Sequence, residues 1–461
     1  MNTLNRPNVL LLYTDQQRWD TVRAAGNPLV HTPNLDRLAA SGVLFDNCFV
    51  NNPVCMPSRQ SMLTGQYPNA LGCATNGIEL PESAVTLHKL LKPYGYFTAN
   101  VGKLHFRNHS NRDHRDPHPN YGFDALVLSD EPGCYDDAYV KWVEGIAPDQ
   151  VERCRVSTPP AWQGPPRRLQ PRNTHEPYLF EADEGLTHSA FVASESIRLL
   201  RQNRGRPFFL IAGFYAPHCP INPPARFVEM YDAAAMPLPQ RNPGENFQDV
   251  SDAQWRKVKA YYYALISHVD DQMGRILAFL DEEGLTENTL ILFTSDHGEH
   301  LGDHGLVGKG PFGYDSCTHV PLILSFPGRI PAGDRRQAFI EHVDLAPTIL
   351  DYCGVQTPRA FQGRTFRPLL EGRPYRERSS VYTEWRNPYG TSWKSVRSSE
   401  YKYACSNREG EVLFDLRCDP NELRNVVAEP RYASALAEMR AELLRRWFEV
   451  EKQEPLRTAQ Y

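Results

Sequence analysis

The chain has 461 residues, 41% hydrophobic and 23% charged, the make-up of a globular protein with room for one large domain and a smaller companion. Its 50 basic side chains against 55 acidic ones leave a formal net charge of −5 and a pI near 6.3, which gives no support to nucleic acid or an anionic membrane as a partner. No apolar stretch approaches the roughly 18 residues of a membrane span, and none of the ten cysteines is spaced C-x-x-C, which removes the usual signature of zinc and dithiol sites.

Residues 1–7 lead straight into a short apolar run at 9–14. That run is too short for a secretory signal core and Asp15 follows it at once, so the chain reads as cytoplasmic. Further strand-length runs stand at 97–101, 208–214, 290–294 and 320–326, each continuous rather than alternating, as in strands buried on both faces. Helical patterns separate them: one begins near Asn34, one covers 186–200, and the longest covers 251–283 with one broad apolar face. The alternation predicts an α/β domain with a mostly parallel sheet flanked by helices. The segment 108–175, rich in His, Asp, Pro and Arg, reads as a long surface insertion, and 217–246 as a Pro-rich loop. After Arg373 short strand patterns at 381–385, 395–397, 401–404 and 412–416, then a helix at 432–450, predict a small antiparallel sheet closed by a helix. The expected division is a catalytic domain over 1–372 and a small C-terminal subdomain over 373–461.

In open α/β sheets ligands sit beyond the carboxyl ends of the strands. The polar residues that follow the apolar runs are Asp15 and Gln16, then Lys103 and His105, then His218, then Asp296 and His297 with Lys309 further on. If these strands are parallel neighbours, all share one rim. Two carboxylates and an imidazole suit a hard divalent cation. Lys103, Lys309 and Arg59 offer charge for an anion, and His105 and His218 can move protons. Each residue alone has an ordinary reading as a cap, a turn or a core group; together they suit transfer of a sulfuryl or phosphoryl group.

The run Cys55-Met56-Pro57-Ser58-Arg59-Gln60-Ser61-Met62-Leu63-Thr64-Gly65 resembles the C-x-P-S-R…L-T-G signature of the type I sulfatases of the alkaline phosphatase superfamily. The resemblance extends over nearly the whole chain, through Gly102-Lys103-Leu104-His105, Pro217-His218-Cys219-Pro220, Ser295-Asp296-His297-Gly298 and Gly308-Lys309, to Leu413-Phe414-Asp415-Leu416. It implies an alkaline-phosphatase-like fold and hydrolysis of a sulfate ester of a small molecule or carbohydrate. It also implies oxidation of Cys55 to formylglycine by the formylglycine-generating enzyme, with one hydroxyl of the hydrated aldehyde as nucleophile. A thiol would lack the second hydroxyl needed to release sulfate. One divalent ion, Ca²⁺ first and Mn²⁺ or Mg²⁺ next, is implied on Asp15, Gln16, Cys55, Asp296 and His297. Arg59 is implied to support the diol, Lys103 and Lys309 to hold the anion, His218 to be the acid toward the leaving oxygen, and His105 to take the later proton. Asn76 resembles a substrate-contacting asparagine of phosphonate monoester hydrolases and choline sulfatases, though Asn76-Gly77 also reads as a turn.

Two departures bear on substrate and metal. Many sulfatases carry Asp-Asp and Asp-Asn where this chain has Asp15-Gln16 and Asp296-His297. Both variants resemble choline sulfatases and phosphonate monoester hydrolases, which keeps hydrolysis of a phosphonate monoester or phosphodiester as the alternative; Lys103 and His105 favour sulfate. His319 stands where relatives often place Arg, and no role follows from the sequence. No partner other than substrate and maturation enzyme is implied, and a homo-oligomer is compatible with the sequence.

Overall fold

The structure, a computed structural model, describes residues 6–108, 116–133, 137–155, 174–387 and 389–451. Its main sheet has eight strands: β1 (Asn8–Asp15), β2 (Val43–Phe49), β3 (Phe97–Gly102), β4 (Ala125–Leu128), β5 (Phe208–Pro217), β6 (Thr289–Ser295), β7 (His319–Ser325) and β8 (Asp334–Glu341). They lie in the order β4-β3-β5-β1-β6-β7-β2-β8. Every pairing is parallel except the two made by β7. The helices that matter for the site and the cores are α1 (Pro33–Ala40), α2 (Cys55–Thr64), α3 (Ala138–Ile146), α4 (His188–Asn203), α5 (Asp252–Glu282), α6 (Leu345–Tyr352) and α7 (Ala433–Val450).

The continuous apolar run of β1 has a simple cause. Leu10 and Leu12 pack into a core shared with Phe191 of α4 and Met273 of α5, while Val9, Leu11 and Tyr13 pack into a second core with Met62 of α2 and Ile349 of α6. Both faces are covered, so neither parity of side chain can be polar. Four more strands, β9 (Val381–Arg386), β10 (Ser392–Arg397), β11 (Tyr401–Ser406) and β12 (Gly410–Asp415), form a separate antiparallel sheet in the order β12-β11-β10-β9. Helix α7 covers it through Met439 and Leu443 against Val396, Tyr403 and Leu413. The expected large mixed sheet and small antiparallel sheet are both present. No helix among the described residues is long and apolar enough to cross a membrane.

Three strands lack a clear sequence signal. In β2 the polar pair Asp46-Asn47 interrupts the run where the register shifts between Phe45 and Cys48. In β8 the first half alternates polar residues, as suits an edge strand. β4 is the other edge, four half-buried residues long. Together with α3 it corrects the reading of 108–175 as irregular surface, because part of that segment completes the main sheet; 109–115, 134–136 and 156–173 lie outside the described residues.

Burial pushes His88, His268 and His342 down to about 3. These imidazoles stay neutral in the fold at pH values where the unfolded chain, titrating near 6.5, takes up protons. Their contribution to stability is therefore intact above about pH 6.5 and lost as pH falls toward 3, by up to about 1.4 kcal/mol per pH unit for each. The urea midpoint is expected to drop steeply between about pH 6.5 and pH 4.5; a flat profile would contradict neutral burial of these side chains.

Candidate active site

Cys55 is the first residue of α2, and all ten residues of that helix are buried. Pro57 falls in the first turn, where a missing N–H costs nothing. Gly65 ends the helix at φ 60°, where a Cβ would lie 2.5 Å from the Phe361 ring. The helix thus presents its N-terminal backbone and the Cys55 side chain to the carboxyl ends of neighbouring strands, a position that favours negative charge.

Those ends are contiguous. β3, β5, β1 and β6 are neighbours in the sheet, and they deliver Lys103 and His105, His218, Asp15, and Asp296 with His297. Close approach of β3 and β5 rests on a glycine pair. A Cβ on Gly102 would lie 2.2 Å from the Gly213 carbonyl oxygen, and one on Gly213 would lie 2.2 Å from the Lys103 carbonyl oxygen.

One ligand atom each from Asp15, Cys55, Asp296 and His297 falls within 4.8 Å of every other, and all four residues are buried. His297 Nδ1 donates to the Gly298 carbonyl at 2.7 Å, which leaves the Nε2 lone pair directed inward. Nε2 lies 3.2 Å from Cys55 Sγ, 3.5 Å from an Asp15 oxygen and 3.7 Å from an Asp296 oxygen. Burial, then Lys309, lowers the His297 pKa against the pull of Asp296 and Asp15, so the ring is neutral. Two buried carboxylates, a neutral imidazole with its lone pair turned toward them, and a sulfur fit a divalent cation.

Cations surround this group. Lys103 Nζ lies 2.5 Å from Asp15, and Lys309 Nζ lies 2.7 Å from Cys55 Sγ and 3.1 Å from His297 Nε2. Burial opposes the charge on Asp15, yet Lys103, His218, Lys309 and Arg59 hold its carboxyl well below the usual range. Burial likewise opposes the charge on Lys309, and Cys55 and Asp15 outweigh it, so its ammonium is held above its usual range. His218 Nδ1 is tied to the Cys219 carbonyl at 2.7 Å, and its Nε2 faces Lys309 at 3.4 Å.

Arg59 is buried at 1% exposure and is spent on the protein itself. Nε donates to Asp296 at 2.7 Å, Nη1 to the Lys103 carbonyl at 3.0 Å and Nη2 to the Thr14 carbonyl at 3.4 Å, while the guanidinium stacks over Tyr13 at 4.5 Å. One side chain therefore ties together the ends of β1, β3 and β6. Gln16 follows Asp15 directly and contacts the cluster through Asp296. Its backbone N–H donates to Asp296 at 3.1 Å, and its side-chain amide donates to Glu299. Asn76 is exposed on its turn, and its Oδ1 accepts the Met56 N–H at 3.0 Å, supporting the start of α2. His319, without a role in the sequence, is stacked between Trp19 and Phe49, each ring 4.5 Å away, and bonds the Asp46 carbonyl.

Two contributors escape sequence reasoning. Asp130 accepts the N–H groups of Leu104 and His105, both at 2.7 Å, and so fixes the turn that carries Lys103 and His105. It follows β4, so the strand-end rule would find it once that strand is recognised. Buried Glu299 accepts the N–H groups of Leu301 and Gly308 as well as the Gln16 amide, clamping the loop that ends at Lys309. Only its place in the Asp296 segment marks it in the sequence.

Comparison with known proteins identifies the family. Residues 7–355 match the sulfatase family, and residues 302–448 match the C-terminal region of N-sulphoglucosamine sulphohydrolase. The multifunctional alkaline phosphatase superfamily protein PehA of Trinickia caryophylli is 32% identical over an alignment spanning 94% of this chain and 93% of that protein. An arylsulfatase of Clostridium perfringens is 29% identical, with 95% of this chain and 94% of the relative aligned. The phosphonate monoester hydrolase of Agrobacterium radiobacter superposes with a TM-score of 0.84 at 28% identity, covering 96% of each chain. The chain belongs to the sulfatase family, a family of sulfuric ester hydrolases built on the alkaline phosphatase fold.

Proposed function

We propose that this enzyme hydrolyses a sulfate monoester of a small molecule or carbohydrate with a formylglycine made from Cys55. The observation that carries this reading is the placement of Cys55 Sγ beside His297 Nε2, at 3.2 Å, and Lys309 Nζ, at 2.7 Å, in one buried cluster with Asp15 and Asp296. Asp15, Asp296, His297 and the modified residue 55 would hold one divalent ion, Ca²⁺ first and Mn²⁺ or Mg²⁺ next, with Gln16 supporting Asp296 through its backbone. When bound, that ion supplies Lewis acidity toward an oxyanion.

The protein's own groups divide the remaining work. Lys309 and Lys103 face the position of the reacting oxygen and offset the charge of the transferring group. His218 donates its Nδ1–H to the Cys219 carbonyl, which orients the ring with Nε2 toward the site; in its imidazolium form it gives the Nε2 proton to the leaving oxygen. His105, on the turn fixed by Asp130, takes the proton of the remaining hydroxyl. Arg59 acts through others, setting the positions of Asp296 and of the Lys103 backbone. Asn76 keeps its Nδ2 for a substrate.

Peptide mass spectrometry after co-expression with the formylglycine-generating enzyme is expected to show the aldehyde at residue 55, and a chelator is expected to remove activity that added Ca²⁺ or Mn²⁺ restores. A fully active protein with an unmodified thiol would end the proposal. A phosphonate monoester is the second reading, favoured by the similarity to the Agrobacterium hydrolase. With aryl sulfate and aryl phosphonate monoester assayed in parallel, the higher kcat/KM is expected for the sulfate, and a large excess for the phosphonate would install the second reading in its place.

A further inference from the structure

A cavity of about 390 Å³ lies where the linker entering β9 crosses the last turns of α7. None of its lining residues belongs to the cluster around Cys55. Five arginines line it, Arg364, Arg376, Arg378, Arg445 and Arg446, against two glutamates, Glu377 and Glu449.

Three of the arginines are anchored by acids. Arg378 pairs with Asp344 at 2.5 Å, Arg446 with Glu341 at 2.8 Å and Arg445 with Glu442 at 2.5 Å. Among the described residues, Arg364 and Arg376 have no acid within ion-pair distance. Arg364 lies over the Tyr375 ring at 5.4 Å, and its Nε and Nη2 are buried without a hydrogen-bond partner. An unmet guanidinium donor in a partly enclosed cavity is unfavourable until an acceptor arrives. The planar fork of arginine matches a tetrahedral oxyanion with paired N–H groups, and the volume is that of a small-molecule site.

We infer that this cavity is a second anion site, one that takes a tetrahedral oxyanion, phosphate or sulfate, free or as the head of a small ester. An anion there bridges the linker, through Arg364 and Arg376, to α7, through Arg445. It also sits beside the buried Arg446–Glu341 pair, which Tyr67, just beyond α2, shares through its hydroxyl. Occupancy would therefore fasten the C-terminal helix to the edge of the main sheet and raise thermal stability.

Calorimetric titration of the full chain with inorganic phosphate, and separately with inorganic sulfate, tests this. The unaltered protein is expected to bind two phosphates. Arg376→Ala, at an exposed residue, is expected to weaken one of them about tenfold, and Arg364→Ala combined with it to abolish that one. In both variants kcat/KM and the inhibition constant of phosphate, which report the turnover site, should stay within about twofold. If sulfate titrates the same site, the two anions share it; if only phosphate does, the site is selective. A single phosphate in the unaltered protein, displaced by substrate, would overturn the inference. So would a second phosphate unaffected by Arg376→Ala, since the arginines would then serve only the protein's own acids. Loss of sulfatase activity by itself touches the proposed function and leaves the second binding event measurable.

Discussion

Replacing Cys55 by Ala is expected to lower kcat/KM by at least about 10⁴-fold while leaving the far-ultraviolet spectrum and the unfolding midpoint close to those of the parent. The first half follows from the position of Sγ at the meeting point of His297 and Lys309. The second follows from helix chemistry. Ala is the residue most favourable to a helix interior, and the Cys55 sulfur faces the polar cluster rather than an apolar core. Lys309, relieved of its sulfur contact, keeps Asp15 and Asp296 as nearby countercharges. Retention of full turnover in this variant would refute the assignment of residue 55 as the nucleophile precursor.

Arg59→Ala is expected to fail differently, in stability as well as in rate. Removing the guanidinium strips Asp296 of its 2.7 Å ion pair and leaves that carboxylate buried, a type of loss that costs about 3–5 kcal/mol. It also frees the Lys103 and Thr14 carbonyls, so the three strand ends lose their common tie. Arg59→Lys should restore charge but not function, because a point charge cannot reach Asp296 and two carbonyls at once. Chemical denaturation combined with kcat/KM measures both losses. An Arg59→Lys protein with parental stability and rate would show that only charge matters at this position.

The rim of the site was legible because a buried parallel strand advertises its end. Residues 9–14, 97–101, 208–214 and 290–294 are apolar on both faces, and the first polar groups after them are the ones that meet in space. What stayed hidden depends on pairing rather than pattern. The reversed direction of β7 leaves no mark on its composition, which is as apolar as that of its parallel neighbours. β4 and β8 are edges: β4 is a run of only four half-buried residues, too short to stand out, and the first half of β8 is polar with alternate side chains exposed. Asp130 was lost with β4. The direction of Arg59 was equally unreadable: a motif position says that a guanidinium is present, not that its donors are spent on Asp296 and two backbone carbonyls. For Gln16, adjacency to Asp15 suggested a shared task, while the bond of its side-chain amide N–H to Glu299, at a backbone φ of 66°, could not be read from the sequence.

The central place of β1 sets a timetable for folding. The first strand made is flanked by β5 and β6, so its earliest sheet partner is a segment 200 positions later, where Asn8 meets the Phe208 N–H. At a synthesis rate of roughly 5–20 residues per second, β1 waits about 10–40 s for that partner. Throughout that interval it is an apolar ribbon with both edges unpaired, the kind of segment that invites pairing with other chains. The middle of the sheet, and with it the rim that carries Asp15, can close only after β6 has been made. Slow, non-local assembly and a need for protection of the nascent chain are built into the strand order itself.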